Sequence, residues 1–310
     1  MERFDRPALV AFARDSIARG SKSFAAASRL FDRTTRERVW LLYAWCRKCD
    51  DMADGQDHGG AMAAVADPTT RIAAIRELTA KALSGIPTGE PAFDALGVVA
   101  RECGLTQKMV DDVIEGFALD AADWHPRRES DLYRYCYHVA GAVGVMMAVV
   151  MGVRPDDDAT LDRACDLGLA FQLANIARDI EEDDAAGRCY LPDDWLAMLD
   201  IGPGEQMRPH NRGKLALMAR WLTDEAGQYE ASARLGAARL PFRARWAVLA
   251  AAGIYGDIAR KVRTAGEKAW DQRIYTSRSE KLRWVTRAFR DALANKPRQT
   301  DRDGLWTRPI

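Results

Sequence analysis

No excess of either charge marks this chain: 310 residues carry 45 Lys and Arg against 45 Asp and Glu. That balance excludes a global field for nucleic acid, so any charge-based function is local. The first twenty residues, MERFDRPALVAFARDSIARG, lack the apolar core and cleavage site of a secretory signal. The longest apolar run, Val139–Val153, has fifteen residues and three glycines. It falls short of the roughly 20 that span a bilayer, so a buried helix is expected there. Cys46, Cys49, Cys103, Cys136, Cys165 and Cys189 form no framework, as expected in a reducing cytoplasm. Cys46 and Cys49 do make a C-x-x-C. With no second pair for zinc and no βαβ context for redox chemistry, they read as buried structural thiols. The four histidines are dispersed. Alternating strand patterns, internal repeats, low-complexity tracts and interdomain linkers are all missing.

What is present is helical periodicity. Pro7–Gly20 has helical spacing and ends on a glycine suited to a C-cap. The following Gly20-Ser21-Lys22-Ser23-Phe24 breaks the pattern, either as phosphate donors or as a helix N-cap; taken alone, the cap is preferred. Thr34-x-x-Glu37 predicts a capping box, and Gly55–Gly60 ends the helix it opens. Asp67-Pro68 reads as cap then N1 proline, Ser84–Pro91 as a loop, and Thr106 as the cap of a helix through Asp120. Ser130 opens the long apolar helix, Arg154–Asp158 is a turn, and Gly187 ends the next helix. Arg208–Gly236 and Pro241–Ala265 are two further helices, and Ser277-x-x-Glu280 boxes the last. Residues 296–310 are expected to form a loosely ordered tail. One all-α domain, a helical bundle, is the expected architecture.

Two stretches carry chemistry. In FQLANIARDIEEDDAAGRCYLP (Phe171–Pro192), Asn175, Asp179 and Asp183 fall at i, i+4 and i+8, one face of a helix. Gln172 sits near that face, and Arg178 stands three residues from Asn175. Oxygen ligands in a row, with no lysine among them, suit Mg²⁺ or Mn²⁺. An exposed acidic helix end, with Glu181, Glu182 and Asp184, is the alternative. The second stretch, LYAWCRKCDDMAD (Leu42–Asp54), weighs against it. There Tyr43, Arg47, Asp50 and Asp54 form another helical stripe. Two acidic helices would repel if they met without cations, and Mg²⁺ is commonly held by a few carboxylates plus substrate phosphates. Arg47 and Arg178 suit forked contacts with phosphate oxygens. Diphosphate chemistry follows. A calcium loop fails because Met52 replaces a ligand and Ala61 stands where the bidentate Glu belongs.

The helix from Ser130 is the third informative element. Ala140, Gly141 and Gly144 are small, whereas Val139, Val143, Met146 and Met147 are apolar. Small residues serve either close helix contact or a dry channel for a prenyl chain, and the sequence leaves both open.

GSKSF, YAWCRKCDDMAD, YCYHVAGAVG and QLANIARDIEEDDAAGRCYLP, in that order, resemble the signature of the squalene/phytoene synthase family. Tyr255 and AWDQR (Ala269–Arg273) extend the likeness along nearly the whole chain. The resemblance implies the all-helical isoprenoid synthase fold around a central cavity and head-to-head (1′–1) joining of two allylic diphosphates. It implies metal contacts at Asp50, Asp51 and Asp54, and at Asn175, Asp179 and Asp183. It implies diphosphate contacts at Ser21, Lys22, Ser23, Tyr43, Arg47, Gln172, Arg178, Tyr255 and Arg273. Tyr135 matches a tyrosine that family mechanisms place beside the carbocations, with Arg47 and Arg178 assisting catalysis. Phe24, Val139, Val143, Gly144 and Met147 would line the prenyl cavity. Gly20 departs from relatives that carry histidine there.

Several Mg²⁺ or Mn²⁺ ions with two prenyl diphosphates are the implied cofactors and substrates. Family members that reduce the final cation use NADPH; with no dinucleotide fingerprint and no C-terminal membrane anchor visible, proton loss and no NADPH are expected here. A C40 product from geranylgeranyl diphosphate is favoured over a C30 product from farnesyl diphosphate. A non-catalytic assembly protein of the same fold has no reason to keep both carboxylate stripes. No nucleic acid and no obligate protein partner are expected. Delivery of a hydrocarbon implies peripheral association with the inner face of a membrane.

Overall fold

The computed structural model describes residues 4–53, 67–122, 124–294 and 302–309, apart from the side chains of Lys22 and Ser23. Asp54 and the stop at Gly55–Gly60 lie outside the described residues, as do the side-chain roles expected of Lys22 and Ser23. Every regular element among the described residues is helical. No helix among them is long and apolar enough to cross a membrane. The chain divides into two compact units. One holds the residues up to Ala122 together with Val145–Asp158; the other holds Asp123–Gly144 and the residues from Ala159 onward.

The first unit contains α1 (Arg6–Gly20), α2 (Lys22–Ser28), α3 (Arg33–Ala53), α4 (Pro68–Leu83), α5 (Pro91–Cys103) and α6 (Gln107–Ala121). Helix α3 is its axis, packed against α1, α4, α5 and α6. Leu42, Trp45 and Cys49, at i, i+3 and i+7, are buried along it. Its start differs from the expected box. Asp32 is the cap, accepting from the Thr35 N–H at 3.0 Å and the Thr35 hydroxyl at 2.7 Å. Glu37 is drawn away by Arg6 at 2.7 Å and Arg33 at 2.9 Å, which hold its carboxyl below its ordinary range. Two guanidinium partners outcompete one backbone N–H. Asp5 caps α1 through the Ala8 N–H, and Thr106 caps α6 through the Met109 N–H. Gly20 is the last helical residue, not a left-handed cap. A β-carbon there would run into the Tyr43 hydroxyl, so a larger residue requires that side chain to shift.

The second unit contains α7 (Glu129–Cys136), a π-turn at Tyr137–Gly141 and the start of α8 (Ala142–Val150), which crosses the division. It continues with α9 (Asp158–Ala185), α10 (Asp193–Met198), α11 (Arg212–Ala237), α12 (Phe242–Ala265) and α13 (Arg278–Ala294). Helix α7 starts at Glu129 rather than Ser130, because Asp131 accepts from the N–H groups of Arg127 and Arg128. The π-turn was not foreseen; it carries small residues onto α9. A β-carbon on Gly141 would lie 2.8 Å from Cys165 Sγ, and one on Gly168 would meet the Ala140 carbonyl. Gly187, at φ +74°, turns the chain after α9 as expected. Helix α12 packs between α11 and α13. The Ser277–Glu280 box forms, with Ser277 N–H donating to Glu280 at 2.8 Å and Glu280 N–H to Ser277 at 3.4 Å.

Residues 302–309 correct the expectation of a loose tail. Arg302 forks onto Asp166 at 2.9 and 2.6 Å, and the Ser232 hydroxyl donates to the same buried carboxylate. Arg308 reaches Asp162 at 2.8 Å, and the Trp306 N–H donates to the Tyr229 hydroxyl. A fully buried aspartate needs a cation. Arg163 lies three residues before it, but the forked pair comes from Arg302, 136 residues away in the chain. Arg302→Ala is expected to destabilise the protein by about 3 kcal/mol, because it strands a buried charge. A thermal melt indistinguishable from wild type would show that the tail contributes nothing.

Candidate active site

The first acidic stripe lies on α3. Arg47 donates to Asp50 at 3.0 Å and pairs with Asp51 at 2.6 Å. Asp51 is buried, whereas Asp50 is half-exposed. Tyr43 belongs to the same stripe, with its ring 5.7 Å from that of Phe24. Burial raises its pKa, Arg47 opposes this, and Asp50 and Asp51 add to it. Its hydroxyl therefore keeps its proton as a donor. The Ser21 hydroxyl accepts from the Phe24 N–H at 3.2 Å and so caps α2, the plainer of its two expected roles. Burial pushes the Cys46 thiol up to about 12 and Cys49 well above its ordinary value. Both are inert structural thiols.

The second stripe lies on α9, whose regular helix over Asp158–Ala185 places Asn175, Asp179 and Asp183 one turn apart. Arg178 forks onto Asp179, with its Nε at 2.6 Å. Arg273 joins them, its Nη2 lying 3.3 Å from Asp179 and its Nη1 paired with Glu182. The Trp270 indole donates to the Ala177 carbonyl at 3.1 Å, which ties the segment carrying Arg273 to α9. Tyr255 stacks on Phe171, one residue before Gln172, with centroids 4.2 Å apart. Asp183 lines a small recess with Ile176, Ile180, Arg188, Tyr190 and Gln206.

Tyr135 is buried and stacked with Trp124 at 5.3 Å and Tyr190 at 4.9 Å, both within 20° of parallel. Sequence reasoning passed over both partners. Tyr190 sits inside the Phe171–Pro192 motif and could have been noticed; Trp124 lies in a loop with no periodic signal. Val139, Val143 and Met147 are half-buried. A β-carbon on Gly144 would lie 2.5 Å from the Ala164 carbonyl oxygen of α9. Of the two roles that the sequence left open for it, close helix packing is the one found.

Among the described residues no three acidic, histidine or cysteine side chains converge as a ready metal site. Guanidinium groups hold the key carboxylates instead: Arg47 on Asp50 and Asp51, Arg178 and Arg273 on Asp179. The donor set still fits a hard divalent ion. It consists of carboxylate and amide oxygens at one-turn intervals, with no thiolate or imidazole among them.

The described residues are all-α, with an acid-and-arginine stripe on each of two helices. The chain belongs to the squalene/phytoene synthase family, whose model matches residues 17–280. A phytoene synthase of Pseudescherichia vulneris is 47% identical over 309 residues, covering 98% of this chain and 99% of that protein. A 15-cis-phytoene synthase of Pantoea ananas is 46% identical over 313 residues, covering 99% of this chain and 100% of that protein. In structure the chain is similar to a dehydrosqualene synthase crystallised with a ligand, at TM-score 0.81 and 24% identity. That likeness covers 94% of this chain and 99% of the other, and it establishes the fold.

Proposed function

We propose that this protein is a 15-cis-phytoene synthase, a prenyltransferase that joins two geranylgeranyl diphosphates head to head as the entry into carotenoid synthesis. The observation that carries the reading is end-to-end identity of 46–47% with relatives named phytoene synthase. The residues support it. Arg47, Arg178 and Arg273 are forked donors suited to diphosphate oxygens, each already beside a carboxylate. They receive the negative charge that develops as the first diphosphate departs and leaves an allylic cation. Mg²⁺ or Mn²⁺, held by Asp50, Asp51 and Asp54 and by Asn175, Asp179 and Asp183, supplies further positive charge for that departure when bound.

The double bond of the second substrate attacks the cation, and proton loss closes a cyclopropylcarbinyl diphosphate. A second ionisation and rearrangement give a tertiary allylic cation, which loses a proton to form the central double bond. The stack of Trp124 on the buried Tyr135 and Tyr190 offers electron-rich rings to a cation. The product has no polar group, so peripheral association with a membrane is part of the proposal.

Purified protein with Mg²⁺ or Mn²⁺ is expected to yield a C40 hydrocarbon from geranylgeranyl diphosphate, identified by mass. A C30 product from farnesyl diphosphate alone would move the protein to the dehydrosqualene branch. NADPH is expected to change neither rate nor product. A hydrocarbon two hydrogens heavier with NADPH would place the protein on the reductive branch instead.

A further inference from the structure

Eight large apolar or aromatic side chains stand exposed among the described residues, and four of them, Tyr275, Leu282, Phe289 and Leu293, fall in one short segment. Leu282, Phe289 and Leu293, at i, i+7 and i+11, share one face of α13. The adjoining flank of α13 is already used, since Ala288 and Ala292 are buried and α13 packs on α12. Phe289 is braced edge-on against Phe242 at 5.7 Å and Trp246 at 5.0 Å, so the ridge has a rigid base.

The charge around the ridge is of one sign. Arg278, Arg283 and Arg290 are exposed beside it and make no ion pair among the described residues. The acids of α13 are spoken for: Glu280 by Lys261 at 2.6 Å, Asp291 by Arg287 at 3.9 Å. This local excess stands out in a chain whose charges otherwise cancel. An apolar ridge rimmed by arginine on a surface helix matches the interface of an anionic bilayer, apolar groups entering the acyl boundary and guanidiniums meeting phosphates. A second copy of the chain fits poorly, because a two-fold contact across this face would set arginine against arginine.

We propose that the exposed face of α13, with Tyr275, is the surface by which this protein docks on an anionic phospholipid membrane. It gives a place to the peripheral association included in the functional reading and rests on that reading for its purpose; its binding test requires no turnover. The full chain is sedimented with vesicles of phosphatidylcholine alone and of phosphatidylcholine with phosphatidylglycerol. Binding is expected only with the anionic lipid and is expected to weaken with salt. Leu282→Glu with Leu293→Glu is expected to weaken binding at least about tenfold. Arg283→Glu with Arg290→Glu is expected to remove the preference for anionic lipid. Met198→Glu, an exposed residue elsewhere, is the control and should bind as wild type. Both double variants should melt as wild type and keep full activity in detergent micelles. Failure of wild type to bind anionic vesicles, or undiminished binding by the leucine double variant, would overturn the proposal. So would a dimer of the wild type that this variant converts to monomer. Loss of micellar activity in wild type would instead indict the enzymatic reading and leave the binding result standing.

Discussion

Asp179→Ala is expected to lower hydrocarbon formation by at least about a hundredfold, while the far-UV circular dichroism stays that of the wild type. Asp179 is the point on α9 where Arg178 and Arg273 converge. Its removal takes away one proposed metal ligand and leaves two arginines without their shared carboxylate. The structural cost is smaller than the functional one. Losing one partner of a partly buried pair costs about 1–3 kcal/mol, which a chain with this much buried core withstands. Asp179→Asn keeps the shape and removes the charge, so it should lose activity to a similar degree with less effect on melting. Asp50→Ala is the matching change on α3. Its side chain is 47% exposed and Arg47 keeps Asp51, so folding should be nearly untouched while turnover collapses. More than about a tenth of wild-type activity in either alanine variant would count against ionisation assisted by these carboxylates.

Gly144→Leu should fail for a different reason. A β-carbon alone would already sit 2.5 Å from the Ala164 carbonyl oxygen, and withdrawing α9 to make room would break the close contact of Gly168 with Ala140. Overpacking commonly costs 1–3 kcal/mol, and a backbone-to-backbone crossing should lie at or above the upper end of roughly that range. The expected result is a large drop in melting temperature or insoluble protein, with Gly144→Ala showing a smaller drop in the same direction. Val143→Leu, at a half-buried neighbour, should fold normally, so any change in its activity would report on the site. A Gly144→Leu protein that melts as wild type would show that the crossing can open.

The contrast between Asp179 and Gly144 separates what each level of description reveals. The carboxylate stripes follow from spacing alone. A 3.6-residue period places i, i+4 and i+8 on one face whatever surrounds the helix. The Ser277–Glu280 box is local for the same reason, since donor and acceptor lie within three residues of each other. Asp67-Pro68 opens α4 at the expected place, although the Asp67 side chain makes no capping bond. The Thr34–Glu37 box failed because two arginines competed for the same carboxylate, the local Arg33 and the distant Arg6. A local i,i+4 rule contains Arg33 but not Arg6.

Residues far apart in the chain required the fold. Arg273 reaches Asp179 only because Trp270 is tied to the Ala177 carbonyl, and Arg302 reaches Asp166 across 136 residues of chain. The stack of Trp124, Tyr135 and Tyr190 unites a loop, a helix and the segment after α9. Gly141 and Gly144 could equally have lined a channel by composition; a π-turn set their direction, and that turn has no signature in residue type. By itself, then, the sequence determined the all-helical class, the two acidic faces and the family. Tertiary structure alone decided that Arg273 meets Asp179 and Arg302 meets Asp166, which glycines bear packing and where residues 302–309 dock. Covalent spacing determines what shares a face, whereas packing determines what that face meets.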